Sequence, residues 1–495
     1  MSGADQTDGI LTSRRPIANV LIIAAALAVV CCIRIHTFGE PLEADECNYL
    51  IFGADWSDGG RPYETIWDNK PIGTFIIYRL AVSVFGYDPA TPKLLGLGAM
   101  FLVMALLLPL FRRDHADSHL TVGCLLIVAA LTNGFSGCHA NGANMEIVLL
   151  PLLIAAYALL SRYVDSKREW CFWGSIAVLS AAVLVKQVAL PFFVVPFLVF
   201  SREQWRAPAR IAARVAGAVV LVIGVQMVVY AVLGYSPLQF LSQGMQNVDA
   251  VANQRGGSLF AAIKTALMVP VAGPIRWLIP FTLTGIVGTL WYGHRTRRVA
   301  DLLPLMFLGA AAVAIALPGE EMAHYYILAL PFIVLCCSTA CRVVPMHRRY
   351  IGPAVGCIFL LGVVWTTFMQ RTPEQISMDK YGGWFLRDRI IGRTLQGFDV
   401  GGQRIYVDGS HPGVYVYSSS MPIAKYHMAW TYVTMKVTTQ AEVYAQVRDR
   451  RPEFCVFLNP LVDPYTTPDF RLWIDENYAL VLDDTRLEYR IYQRK

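Results

Sequence analysis

A chain of 495 residues that is 55% hydrophobic and only 16% charged, with a mean hydropathy of +0.45, is too apolar for a soluble globular protein. Its net charge of +6 is carried by short basic clusters between apolar runs, a topology signal that excludes a nucleic-acid patch. The eleven cysteines lie mostly inside apolar runs, without zinc-finger spacing, and read as packing residues.

Taken in chain order, apolar runs long enough to cross a hydrocarbon core of roughly 30 Å recur from Pro16 to Met369. Backbone in lipid must satisfy its own hydrogen bonds, so these runs are helices. The first, 16–35, follows Arg14-Arg15 but has no clear small-residue cleavage site, and is read as a retained anchor. Further spans are expected near 91–111, 119–137, 146–161, 170–186, 188–201, 212–233, 274–292, 302–318, 323–341 and 350–369, about eleven in all. The stretch 71–86 opens with Pro71, carries Arg79 midway, and is read as a helix in the outer interface. Left out of the count, it places Arg14-Arg15, Arg112-Arg113, Arg162 to Arg168, Arg202 with Arg206 and Arg210, Arg295 with Arg297-Arg298, and Arg342 with Arg348-Arg349 on one side. If 71–86 crossed, that parity would fail.

The opposite side, the periplasm in a bacterium, collects the long loops. Loop 36–90 is acidic, loop 234–273 is rich in Gly, Gln and Asn, and the turn 318–323 carries Glu320-Glu321. After Met369 the composition becomes that of a soluble domain. Strands are expected at Arg404–Val407, Phe454–Leu458, Ala479–Asp483 and Tyr489–Tyr492, with helices at Gln440–Arg450 and Asp469–Asn477, a small α/β domain. The expected organisation is thus an α-helical polytopic membrane protein, with a transmembrane catalytic domain at 1–371 and a soluble outer domain at 372–495.

Chemistry concentrates in the first outer loop. Glu43-Ala44-Asp45-Glu46 follows the first span, and Trp67-Asp68-Asn69-Lys70-Pro71 precedes the interfacial helix. A carboxylate at a membrane surface can take a proton from an acceptor hydroxyl, and a lysine can neutralise a phosphate leaving group. The bland alternative is a solvated acidic face.

The run Asp45-Glu46, Tyr49, Gly59-Gly60, Pro62-Tyr63, Trp67-Asp68-Asn69-Lys70-Pro71 and Phe85-Gly86 resembles the first outer loop of the dolichyl-phosphate-mannose protein mannosyltransferases and their bacterial relatives, including the lipid A aminoarabinose transferases. The resemblance covers roughly 16–370. It implies a GT-C fold, a polyprenyl-phosphate-sugar donor and an outer-face acid as base. By position, Asp45 matches the presumed base, Glu46 its neighbouring acid, and Lys70 the lysine on the donor phosphate. Glu146 matches a second outer acid, or else favours its helix dipole. His324-Tyr325 matches a motif that reaches the site from a late span, or else packs at the interface. Lys186, at the end of an apolar run, either snorkels or contacts donor phosphate or sugar; Arg255 is a further phosphate candidate.

The aminoarabinose transferases have a metal-associated Glu where this chain has Asn69, a poor ligand, so neither metal nor cofactor is expected. The expected activity is an inverting glycosyl transfer to a lipid, glycan or protein acceptor at the periplasmic face of the bacterial inner membrane. A lipid-linked-sugar transporter or flippase is the alternative, disfavoured because no duplicated halves are visible. A polysaccharide polymerase or ligase is disfavoured by the acidic first loop.

Overall fold

The computed structural model describes residues 5–114, 118–134, 139–200, 206–255, 260, 264, 274–318, 322–345, 349, 351–458 and 467–495. The expected turn acids Glu320-Glu321 lie outside these. The chain divides into two compact units. One comprises Met1–Phe38, Gly96–Leu233 and Gly257–Thr372; the other comprises Gly39–Leu95, Gly234–Gly256 and Pro373–Lys495.

The first unit is built of apolar helices. Among the described residues, five helices are long and apolar enough to cross a membrane: Ala90–Arg113, Met145–Ser166, Pro208–Val232, Val299–Ala316 and Ala323–Cys341. Shorter apolar helices include Val20–His36, Leu120–Gly134, Glu169–Val185, Gln187–Leu198 and Ala354–Val364. Four of the expected spans, 188–201, 274–292, 323–341 and 350–369, are not uniform α-helix. Gln187–Val194 and Ala323–Ala329 are 3₁₀ turns that run into the α-helical segments Val195–Leu198 and Leu330–Cys341. Pro191 removes a backbone donor in the first, which accounts for the break from α geometry. The unit's core is aromatic. Tyr157, Phe192, Phe307 and Phe332, from four separate segments, meet with ring centroids 5.1–6.2 Å apart.

A charge is also built into this unit. Arg34, read from sequence only as part of the first span, is 5% exposed. Its guanidinium donates to Asn133 Oδ1 at 2.7 Å and to the carbonyls of Ala140, Asn141 and Gly142 at 3.1–3.3 Å. The backbone turn that leads into the helix Met145–Ser166 is thereby fixed, and the buried charge is satisfied. Gly96 makes room for it, since a Cβ there would lie 2.8 Å from Arg34 Nη1.

The second unit mixes a sheet with helices. Its strands are β1 (Arg404–Val407), β2 (Met421–Pro422), β3 (Phe454–Leu458), β4 (Tyr478–Asp484) and β5 (Tyr489–Arg494), in the order β2-β1-β3-β5-β4. β1 pairs in parallel with β2 and β3, whereas β5 runs antiparallel to both β3 and β4. Tyr406, Val443, Phe457, Phe470 and Ile474 bury the sheet against the helices Gln440–Arg450 and Pro468–Asn477. Both helices are capped by threonine: Thr439 accepts from the Glu442 N–H and Thr467 from the Phe470 N–H.

The acidic first loop is not a loop. Ala44–Ser57 is a helix, buried from Glu46 through Trp56, so the segment read as loop is helical core, and the bland alternative of a solvated acidic face does not describe it. It packs on the helix Ile72–Phe85 through stacked Phe52 and Phe75, centroids 4.1 Å apart. Gly53 permits the approach; a Cβ there would sit 2.7 Å from the Tyr78 carbonyl oxygen. The expected loop 234–273 likewise contains a polar helix, Gln239–Arg255.

Four contacts fasten the start of the second unit to its C-terminal part. Leu42 N–H donates to Tyr417 Oη at 2.8 Å, and Tyr381 Oη donates to Glu43 Oε2 at 2.7 Å. Arg389 donates to the Gly39 carbonyl at 2.8 Å, and Lys380 pairs with Glu40.

Candidate functional site

The acid pair opens the helix Ala44–Ser57. Glu46 accepts the Glu43 N–H on Oε2 at 2.9 Å, so it caps its own helix. Asp45 is one residue earlier and only half-buried; its Oδ2 accepts from Tyr49 Oη at 2.8 Å, one turn on. Glu43 is buried, and burial followed by the charges of Glu46 and Asp45 pushes its carboxyl well above the usual range. The three neighbouring acids therefore have three different environments, and Asp45 is the one with partial access to solvent.

Lys70 also reaches Tyr49. Its Nζ stands 5.8 Å from the Tyr49 ring centroid and donates to Asn69 Oδ1 at 3.0 Å. Tyr63 Oη holds the Lys70 carbonyl at 2.7 Å. Behind them sits Asp68, 3% exposed, which accepts from Asn48 Nδ2 at 2.6 Å and from the Asn69 N–H at 2.5 Å. Burial raises its carboxyl above the ordinary range; the Lys70 charge pulls the other way, and Asp45 adds to the rise. Asn48 in turn receives His427 Nε2 on its Oδ1 at 2.7 Å. Burial pushes His427 down to about 3, so it stays neutral and donates from Nε2.

Sequence reading did not find Asn48 or His427. Their partners are local in space and remote in sequence, and neither residue type carries a signal by itself. Tyr49 was visible as part of the motif, but not its contacts with acid and lysine.

A separate polar cluster lies within the first unit. Glu146, wholly buried in the first turn of Met145–Ser166, pairs with Lys186 Nζ at 2.5 Å. Lys186 occupies the break between Glu169–Val185 and the 3₁₀ turn Gln187–Val194, and is 4% exposed, so its side chain does not snorkel. Its Nζ is 4.8 Å from the Tyr325 ring centroid, and the His324 and Tyr325 rings meet at 4.8 Å. The structure thus brings Glu146, Lys186, His324 and Tyr325 together, and it groups Asp45, Glu46 and Lys70 about Tyr49. Arg255 is the last residue of Gln239–Arg255, and its side chain lies outside the described ones.

Among the described residues, no three His, Cys, Asp or Glu side chains converge as metal ligands. Asn69 Oδ1 accepts from Lys70 Nζ.

Two crystal structures of ArnT from Cupriavidus metallidurans, one bound to undecaprenyl phosphate and one in the apo state, match with TM-scores of 0.58, covering 96% of this chain and 97% of theirs. The chain has the GT-C fold. Sequence identity is 15% and 14%, so the likeness is one of architecture, the one that the first-loop motif implied. No protein-family model matches the chain, and neither does any curated protein sequence. The GT-C fold here thus combines a mainly helical apolar part with a small C-terminal sheet.

Proposed function

We propose that the chain is a membrane glycosyltransferase that moves a sugar from a polyprenyl-phosphate carrier to an envelope acceptor: a lipid, glycan or protein. The contacts that Asp45 and Lys70 each make with Tyr49 carry this reading. The fold shared with a structure that holds undecaprenyl phosphate supports the donor class. Asp45 accepts the proton of an acceptor hydroxyl as its oxygen bonds to the sugar's anomeric carbon. The bond from that carbon to the phosphate oxygen breaks with inversion, and the electron pair leaves on the lipid phosphate, where Lys70 meets the charge. Asp68, Asn48 and His427 act behind these residues by orienting the segment that carries Lys70. Glu146, Lys186, His324, Tyr325 and Arg255 remain candidate donor-binding residues.

Mass spectrometry of envelope glycolipids tests the reading. A strain lacking the protein is expected to lose one hexose, pentose or uronic acid from a single glycolipid class. An unchanged profile, with no transfer by the purified protein from polyprenyl-phosphate sugars, overturns it.

We further propose that the site and residues 372–495 face the periplasmic side of the inner membrane, with 1–371 as the catalytic membrane domain. This follows the one-sided arginines and the helix Ile72–Phe85, whose 14 residues reach about 21 Å, short of a roughly 30 Å core. Cysteine labelling is expected to find residues 293–300 inside and 372–495 outside; a cytoplasmic C-terminal part would overturn the placement. Activity is expected to survive EDTA, because Asn69 replaces the metal-associated acid. Loss on chelation, restored by one divalent ion, would reverse that expectation.

A further inference from the structure

The first unit contains a cavity of about 510 Å³ at one end of its helices. Four cations and two carboxylates line it: Arg113, Lys167, Arg298 and Arg342 against Asp165 and Asp301. Both acids are already engaged. Asp165 accepts from Arg113 at 2.9 Å and lies 3.5 Å from Arg298, while Asp301 accepts from Arg342 at 3.1 Å and from Thr296 Oγ1 at 2.7 Å. Among the described residues Lys167 pairs with no carboxylate, and the lining keeps an excess of positive charge.

This cavity is distinct from the cluster of Glu146, Lys186, His324 and Tyr325. Glu146 opens the helix Met145–Ser166 and Asp165 nearly closes it, about 28 Å further along at 1.5 Å per residue. Lys167 and Lys186 likewise flank the two ends of Glu169–Val185. His324 and Arg342 do the same for the 3₁₀ turn Ala323–Ala329 and the helix Leu330–Cys341 that continues it. Three segments thus separate the two groups by nearly the thickness of a hydrocarbon core, roughly 30 Å. A donor headgroup held at Lys186 cannot also occupy the cavity.

Depth and chemistry select the occupant. Trp170, within a turn of Lys167, is 56% exposed, and Trp291, on the helix Ile279–Thr296 that ends just before Arg298, is 60% exposed. Exposed tryptophans at helix ends mark the headgroup level of a bilayer. The Arg113 and Asp165 side chains remain 39% and 38% exposed, so a headgroup has access. Guanidinium groups hold phosphate oxygens in pairs, and a lysine adds a point charge. Val164, Val199 and Val299 supply an apolar wall for the glycerol and first methylenes of a lipid. No aromatic ring is among the described lining, so nothing there would stack a nucleobase.

We propose that this cavity holds the phosphate of an anionic phospholipid, in the leaflet that the proposed orientation makes cytoplasmic. The site uses none of the transfer chemistry, so its failure would leave the reading of Asp45 and Lys70 standing.

The test is native mass spectrometry of the full chain released from mixed micelles that contain phosphatidylglycerol or phosphatidylcholine at equal concentration. Phosphatidylglycerol is expected to be retained roughly tenfold more tightly, because phosphatidylcholine carries its own cation beside the phosphate. Lys167→Asn with Arg298→Gln should weaken that retention roughly 10- to 30-fold, since each cation near an anionic lipid contributes about fivefold. Both residues are exposed, and Asn tolerates the left-handed backbone of Lys167 at φ 55°, so folding is not threatened. Arg210→Gln, which removes an exposed cation outside the cavity, should change nothing. Asp165→Asn removes a competing carboxylate and should tighten retention, a gain that misfolding cannot produce. Millimolar inorganic phosphate should leave the lipid in place. Equal retention of the two lipids, as large an effect from Arg210→Gln as from the pair, or weaker binding in Asp165→Asn overturns the proposal. Displacement by inorganic phosphate overturns it too, by making the occupant a soluble phosphate.

Discussion

Asp45→Asn is expected to slow sugar transfer by roughly 10²–10⁴, the usual worth of a positioned general base. The substitution is conservative in shape. The amide that replaces the Asp45 carboxylate keeps an oxygen to accept the Tyr49 hydroxyl, which bonds Asp45 at 2.8 Å. The helix start is thus undisturbed, and only the proton acceptor is lost. Donor binding, read with a polyprenyl phosphate, should hardly change. Lys70→Ala should weaken that binding as well as turnover, and Lys70→Arg should restore only part, because the guanidinium is broader. Glu46→Gln serves as the control. A glutamine can still accept the Glu43 N–H that Glu46 now takes at 2.9 Å, so it should leave transfer largely intact. If Glu46→Gln abolishes transfer while Asp45→Asn does not, the base is the neighbouring acid. If neither matters, the acids are purely structural.

Lys186→Met is expected to cost about 3–5 kcal/mol, because it leaves the wholly buried Glu146 carboxylate without its partner at 2.5 Å. The readout is the thermal midpoint in micelles or the amount of folded protein in the membrane. Lys186→Met combined with Glu146→Leu should recover most of the loss, since two apolar residues can replace a buried pair at little net cost. A role for Lys186 on the donor would show differently. The double variant would then be folded yet bind a polyprenyl phosphate poorly. A single variant with unchanged stability would refute the structural role.

Local signals are the legible part of the sequence. β1, β3 and the helix Gln440–Arg450 coincide with the expected segments, because short apolar β-prone runs and the Thr439 cap are encoded within a few residues. The helix Ala44–Ser57 was not legible as a helix, since it is buried on all sides and shows no polar face to set a period. Gln239–Arg255 escaped for the opposite reason: its Gln and Asn content resembles a loop. The 3₁₀ turns at Gln187–Val194 and Ala323–Ala329 are apolar throughout, and hydropathy carries no information about helix type. In the site, the acid–lysine motif was visible because it is contiguous. Arg34 was hidden inside an apolar run, and its partners begin 99 residues later. Asn48 and His427, 379 positions apart, meet only because the chain returns to its own first outer segment.

That return sets the order in which the molecule can be made. Glu43 is 338 residues ahead of Tyr381, and Leu42 is 375 ahead of Tyr417. A chain emerging from the ribosome at about 5–20 residues per second exposes Asp45 long before its companions exist. Throughout that interval the nascent segment around Glu40 and Glu43 has neither Lys380 nor Tyr381 to neutralise or bond it. The acid helix acquires these partners only after residues 380–427 have been synthesised and delivered to it. A nascent or prematurely ended chain therefore carries the whole acid–lysine motif without the contacts that bury its acids.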